Sequence, residues 1–190
     1  MHKNVDEVKF ETFVSQNVLT IPEAKRGCFT PVELGIRITN NTQTSLHFST
    51  NFYAMFPEMI APDGELMRTG IACERFNRPT ASEFVLLIPG RAVTIYRDSF
   101  LFWERQSRKK RDRRLVLYLP FPAQDLYGFD PLYPGKYQFR FRYREHTNGD
   151  IADFDQWSDR QKLQIILENL WTGEVLTPLV DIYLVESSSS

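Results

Sequence analysis

The sequence is short of the residues from which most reactive sites are built. Its three histidines, His2, His47 and His146, stand far apart, and its two cysteines, Cys28 and Cys73, lack ligand-like spacing. Zinc sites draw their ligands from closely spaced pairs, so neither set suggests one. There is no Gly-x-Ser-x-Gly elbow, no glycine-rich phosphate loop and no His-Glu-x-x-His. The common signatures of hydrolases, nucleotide binders and metalloproteases are therefore missing. A formal charge of −1 is not the broad excess of cations that a nucleic-acid binder carries. No apolar run is long enough to span a bilayer, and the opening Met1-His-Lys-Asn-Val-Asp-Glu-Val has no signal-like apolar stretch. With so few cysteines, the expectation is two reduced, partly buried thiols and a cytoplasmic location. No enzyme, cofactor or metal is expected.

Aromatic residues are plentiful: 14% of the 190 residues, within an apolar share of 42%. That supports a real core and excludes global disorder. The most informative stretch is Leu132-Tyr-Pro-Gly-Lys-Tyr-Gln-Phe-Arg-Phe-Arg-Tyr-Arg144. Proline presets φ in the Pro134-Gly135 turn, and glycine accepts the positive φ that follows. Beyond it Tyr137, Phe139, Phe141 and Tyr143 alternate with Gln138, Arg140, Arg142 and Arg144. The period of two predicts a strand with its rings on one face and its polar side chains on the other. Burial would stabilise the fold by roughly 2 kcal/mol per ring before chain entropy is subtracted.

Similar alternation recurs along the chain. Val14 to Ile21 fits a first strand. Val32, Leu34, Ile36 and Ile38 define another, and the Asn40-Asn41-Thr42-Gln43-Thr44 turn leads to Leu46 and Phe48. Residues 32–52 thus predict an antiparallel hairpin. The denser run from Phe52 to Ile60 predicts burial on both faces, and Pro62-Asp63-Gly64 a second turn. Residues 70–82 and 123–131 read as loops. Phe84–Ile88, the stretch from Val93 towards Phe102-Trp103, Leu115–Leu119 and Val180–Leu184 read as further strands. Ser158 and Gln161 fit a capping box, and Leu163, Ile166, Leu167 and Leu170 have helical spacing. Leu163, Ile165 and Leu167 also fit a strand, with a short helix the preferred reading. The fold class expected is all-β, an immunoglobulin-like antiparallel β-sandwich with at most one short helix near 158–169. Residues 1–30 are expected to be an extension packing on the domain, 31–186 the single domain, and 187–190 a frayed tail.

The segment Leu132-x-Pro134-Gly135-x-Tyr137-x-Phe139-x-Phe141 resembles the corner leading into strand F of immunoglobulin-like and fibronectin type III-like sandwiches. Tyr137 matches the corner tyrosine, whose hydroxyl bonds backbone a few residues upstream. Ile38-Thr-Asn-Asn-Thr42, Pro62-Asp-Gly64 and Leu87-Ile-Pro-Gly90 precede it in order. Together, across 31–145, these pieces resemble the bacterial intracellular proteinase inhibitor (BsuPI-like) family and related cytoplasmic domains. The resemblance implies a sandwich and inhibitory activity, and no inhibitory residue carries over. The chain departs from that pattern in its leading segment, a basic insert and a longer tail containing Trp171-Thr-Gly173.

The insert is the local anomaly. Arg105, Arg108, Lys109, Lys110, Arg111, Arg113 and Arg114 stand against only Glu104 and Asp112. Seven cations less two carboxylates leave +5 here, in a chain whose total is −1. An exposed hairpin or loop carrying that charge is either a solvated turn or a contact for an anionic partner. Arg108, Lys109, Lys110, Arg111, Arg113 and Arg114 are the candidate partner-binding residues. No aromatic interleaves them, so a single-strand nucleic-acid platform is disfavoured and another protein with an acidic surface is the expected partner. Asp150, Asp153, Asp155 and Asp159 lack the 1-3-5 spacing and glycine of a calcium loop and read as a solvated acidic segment. For His47 a structural role outweighs catalysis. Tyr127, Phe129, Leu132 and Tyr133 are read as packing over the end of the sandwich, with an exposed recognition patch as the alternative. Trp171 is read as a plug, with an interface anchor as the alternative. The functional expectation is a non-catalytic binding or regulatory module.

Overall fold

The computed structural model describes residues 8–51, 54–72, 80–105, 113–120, 126–145 and 160–187. Its strands run β1 (Val8–Val14), β2 (Val18–Thr20), β3 (Phe29–Asn40), β4 (Leu46–Ser49), β5 (Met55–Ile60) and β6 (Thr69–Ala72). A 3-10 turn at Ala81–Glu83 leads to β7 (Phe84–Leu87), β8 (Ala92–Arg105), β9 (Arg113–Pro120), β10 (Leu126–Leu132) and β11 (Gly135–Glu145). The helix α1 (Arg160–Glu168) precedes β12 (Gly173–Leu176) and β13 (Val180–Val185). The fold is all-β with one short helix. A six-stranded antiparallel sheet is ordered β1-β3-β8-β9-β10-β6. In the second sheet β11 pairs with β5 along one side and with β12 and then β13 along the other. β2 joins β13 in parallel, and β4 pairs with β7 separately.

The ring-bearing strand is the centre of the second sheet. Tyr137, Phe139, Phe141 and Tyr143 are all buried and belong to one core with Leu34, Ile36 and Ile38 of β3 and Leu115, Leu117 and Leu119 of β9. Alternation thus seals two sheets against each other, giving a sandwich-like arrangement. Their opposite neighbours hold charge: Arg140 Nε donates to Glu58 Oε2 at 2.8 Å, and Arg142 NH2 to Glu58 Oε1 at 2.7 Å. Where β12 gives way to β13, Thr177 fills the gap. Its amide donates to the Phe141 carbonyl at 2.9 Å, its Oγ1 accepts from the Phe141 amide at 2.9 Å, and the same oxygen meets Thr12 Oγ1 at 2.6 Å. That contact links the two sheets.

Several expectations need correction. Residues 32–52 are not a hairpin. Both edges of β3 are taken, by β1 and β8, and the buried Asn40 side chain donates to the Leu87 and Thr44 carbonyls at 2.7 and 2.8 Å. The turn is therefore pinned to the β7–β8 connection, and β4 pairs with β7 instead. Residues 123–131 include β10 and residues 70–82 include β6, paired to each other. Gly128 and Pro131 made β10 resemble a loop. Gly128 lies under the Tyr118 ring, and Pro131 falls where the register shifts between Phe129 and Leu132, a bulge that needs no amide donor. β5 buries Met55, Pro57 and Met59 with intervening residues half-buried, so it has one buried face rather than two. The first segment forms β1 and β2, edge strands in different sheets, rather than one strand over 14–21.

The helix in the tail forms as preferred. Ile166 and Leu170 are buried one turn apart while Ile165 is 59% exposed, the pattern of a helix and not of a strand. Ser158 of the proposed cap lies outside the described residues. Trp171 is wholly buried and touches Phe10, Phe48 and Tyr143 at centroid distances of 4.9, 6.3 and 5.5 Å. It is a plug. Tyr127, Phe129 and Leu132 are likewise core residues, while Tyr133 is 64% exposed. Among the described residues no helix is long and apolar enough to cross a membrane.

Candidate functional site

The outer face of the six-stranded sheet departs from the usual polar-out rule. In β8 Ile95, Ser99 and Leu101 are buried towards the core. Tyr96, Phe100, Phe102 and Glu104 therefore project from the opposite face. Directly opposed residues share a face, which adds Phe29 across from Phe102 and Tyr118 across from Phe100. Phe100 and Phe102 lie 5.5 Å apart by centroid, Phe102 and Tyr118 5.0 Å, and Phe29 and Phe100 6.4 Å. Phe29 nonetheless stays 60% exposed. Rings plate one end of a face where water would ordinarily meet polar side chains.

That end is hollowed into a trough of about 700 Å³. Phe29, Phe100, Phe102 and Trp103 form its apolar walls, Lys25, Arg26, Arg105 and Arg113 its rim, and Gly27 and Cys28 complete it. The β2–β3 connection supplies Lys25 to Cys28. It turns back at Gly27, whose φ of +84° is costly for any other residue. The Trp103 indole N–H donates to the Pro22 carbonyl at 2.8 Å, tying this connection to the end of β8. A volume of this size lies within the range of small-molecule sites, and an apolar lining with few polar groups is their usual composition.

The electrostatics of the rim are one-sided. Arg105 and Arg113 oppose each other directly across the β8–β9 ladder, where like charges repel. Among the described residues no carboxylate lines the trough. Lys25 is paired with Glu23, whose hydrogen bond raises its pKa. Among the described residues Arg26, Arg105 and Arg113 have no carboxylate partner. Glu104, on the ring-bearing face of the strand, is engaged. It accepts from Arg114 Nε at 2.8 Å and from the Tyr118 hydroxyl at 2.6 Å. Partial burial opposes ionisation of Glu104, and the bonds from Tyr118 and Arg114 outweigh it, leaving its pKa below the ordinary carboxylate value. Burial, then the bond to Glu104, pushes the Tyr118 hydroxyl up to about 12.

The candidate basic residues divide accordingly. Arg113 lines the trough. Arg114 is outside the lining, bonding Glu104 and also Asp130. Arg108, Lys109, Lys110 and Arg111 lie outside the described residues, on the connection that leaves from Arg105 and returns at Arg113. Asp150, Asp153, Asp155 and Asp159 also lie outside them, as do His2, His146 and Cys73. His47 is half-buried, and burial lowers its pKa. Its backbone bonds Asn169 and Trp171, joining β4 to the tail. Sequence reasoning missed Lys25, Arg26, Phe29, Phe100 and Phe102. The available signal was the unbroken run Phe100-Leu101-Phe102-Trp103, which abandons alternation and so puts apolar side chains on both faces of the strand.

The chain matches no protein-family model, no curated protein and no solved structure.

Proposed function

We propose that this chain is a non-catalytic cytoplasmic binding or regulatory module that docks an acidic-surfaced protein at the end carrying the trough. The observation that carries this reading is the opposed pair Arg105 and Arg113 beside exposed rings, with no carboxylate in the lining among the described residues. Apolar walls supply an anchor pocket, and the rim cations favour an anionic partner through field and desolvated contact. In sequence Arg108, Lys109, Lys110 and Arg111 fall between the two rim arginines. Replacing these four by Gln tests the steering role in the complex with a partner recovered from the native cytoplasm. The variant is expected to associate more slowly and with a flatter salt dependence. Unchanged association at low salt contradicts it.

An immunoglobulin-like identity and a proteinase-inhibitor role form the second reading. Its support is the Tyr137 hydroxyl, which accepts from the Tyr133 amide at 3.0 Å and donates to the Tyr133 carbonyl at 3.1 Å, as the resemblance implied. Purified protein in micromolar excess over intracellular serine proteases tests it: inhibition supports this reading, and full residual protease activity eliminates it.

A further inference from the structure

The chemistry of the trough narrows what it accepts. Its four ring-bearing walls, Phe29, Phe100, Phe102 and Trp103, offer edges and faces to a flat apolar body, and ring pairs gain attraction beyond the area they bury. Among the described residues the charged groups in the lining are all cationic, and a guanidinium pair can bracket a single carboxylate, sulfonate or phosphate. Arg105 and Arg113 oppose each other across the ladder, where like charges repel, so an acidic group placed between them offsets that repulsion as well as forming new bonds. We propose that the trough binds a small ring-bearing organic anion, its flat body against the four rings and its acidic group between Arg105 and Arg113. The inference rests on the reading of this end as the binding end and gives it a ligand class.

The size of the trough favours a small molecule over a second copy of this chain. About 700 Å³ suits one drug-sized ligand, whereas a stable protein interface needs a broad patch of about 800 Å² on each partner. Cys28 supplies a local reporter, since its half-buried free thiol lies in the lining. A ligand in the trough must shield it.

The test uses the full chain, 1-anilinonaphthalene-8-sulfonate as the anionic probe and N-phenyl-1-naphthylamine as the same ring body without the charge. Alkylation of Cys28 by iodoacetamide is followed on its own peptide by mass spectrometry, in parallel with probe fluorescence. At ten times its Kd the sulfonate is expected to slow Cys28 alkylation about tenfold, since only about a tenth of the sites stays open. The uncharged probe should bind on the order of tenfold more weakly, and Arg105→Gln with Arg113→Gln should erase that difference. Phe29→Ser, at an exposed position, should weaken both probes while leaving the circular dichroism spectrum unchanged. Cys28 alkylation that is indifferent to saturating sulfonate overturns the proposal, as does equal affinity of the unaltered protein for the two probes. A protein that ignores the sulfonate, yet loses its acidic partner when Arg108, Lys109, Lys110 and Arg111 are neutralised, refutes this ligand and leaves the docking reading standing.

Discussion

The Tyr137 hydroxyl closes the bend before β11 through its two bonds to Tyr133, while its ring enters the core. Tyr137→Phe keeps the ring and removes both bonds. Urea unfolding should then show a loss of about 1–2 kcal/mol; a loss below about 0.3 kcal/mol would deny the bend its role. Tyr143 makes a similar bond, donating to the Ser49 carbonyl at 3.0 Å from a fully buried position. Burial raises the pKa of Tyr137 and Tyr143, and burial with Glu104 raises that of Tyr118 to about 12. The folded chain therefore holds these protons where the unfolded chain, with ordinary phenols near pKa 10, releases them. Stability is complete below about pH 10 and falls as pH rises towards 12. Spectrophotometric titration should show at least three of the eight tyrosines ionising late, and together with unfolding. Full ionisation at pH 10.5 with the fold intact would contradict this. These residues were readable in outline: the ring ladder announced Tyr137 and Tyr143 as core, whereas the Tyr118–Glu104–Arg114 contact crosses strands and left no local trace.

Strand pairing explains both what alternation disclosed and what it concealed. β11 and β13 alternate because each has one buried face, and they were legible; β9 was legible as an apolar run, with Leu115, Val116 and Leu117 buried in succession. β10 was concealed because a glycine and a proline serve it for tertiary reasons. The glycines of two strands make unequal demands. A Cβ on Gly35 would strike the backbone of β8, coming within 2.6 Å of Tyr96 Cα, whereas on Gly128 it would meet the Tyr118 ring at 2.8 Å. Backbone in a central ladder cannot step aside, but a half-exposed ring can. Gly35→Ala should therefore destabilise by about 3 kcal/mol or more, and Gly128→Ala by about 1 kcal/mol. Thermal unfolding of the two variants checks the order, and equal losses would contradict it. Trp171 is the corresponding element-scale anchor of the tail. Trp171→Ala removes its contacts with Phe10, Phe48 and Tyr143 and should cost about 3–5 kcal/mol.

At the scale of the whole molecule, the two sheets share one core, and the unusual surface is gathered at one end. The basic run was conspicuous in the sequence, because seven cations in eleven residues cannot escape notice. The trough that Arg105 and Arg113 line was not. It joins the β2–β3 connection to the β8–β9 hairpin, segments some seventy residues apart, and no pattern within either one reveals the other. Charge was local and legible; the concavity is a product of topology. The most direct test is amide chemical-shift mapping of the isotope-labelled full chain as 1-anilinonaphthalene-8-sulfonate is added. The account predicts saturable shifts concentrated at Cys28, Phe29, Phe102, Arg105 and Arg113. Shifts centred instead on the smaller hollow between Phe56, Met67 and Arg142, or spread evenly over the core, would contradict it.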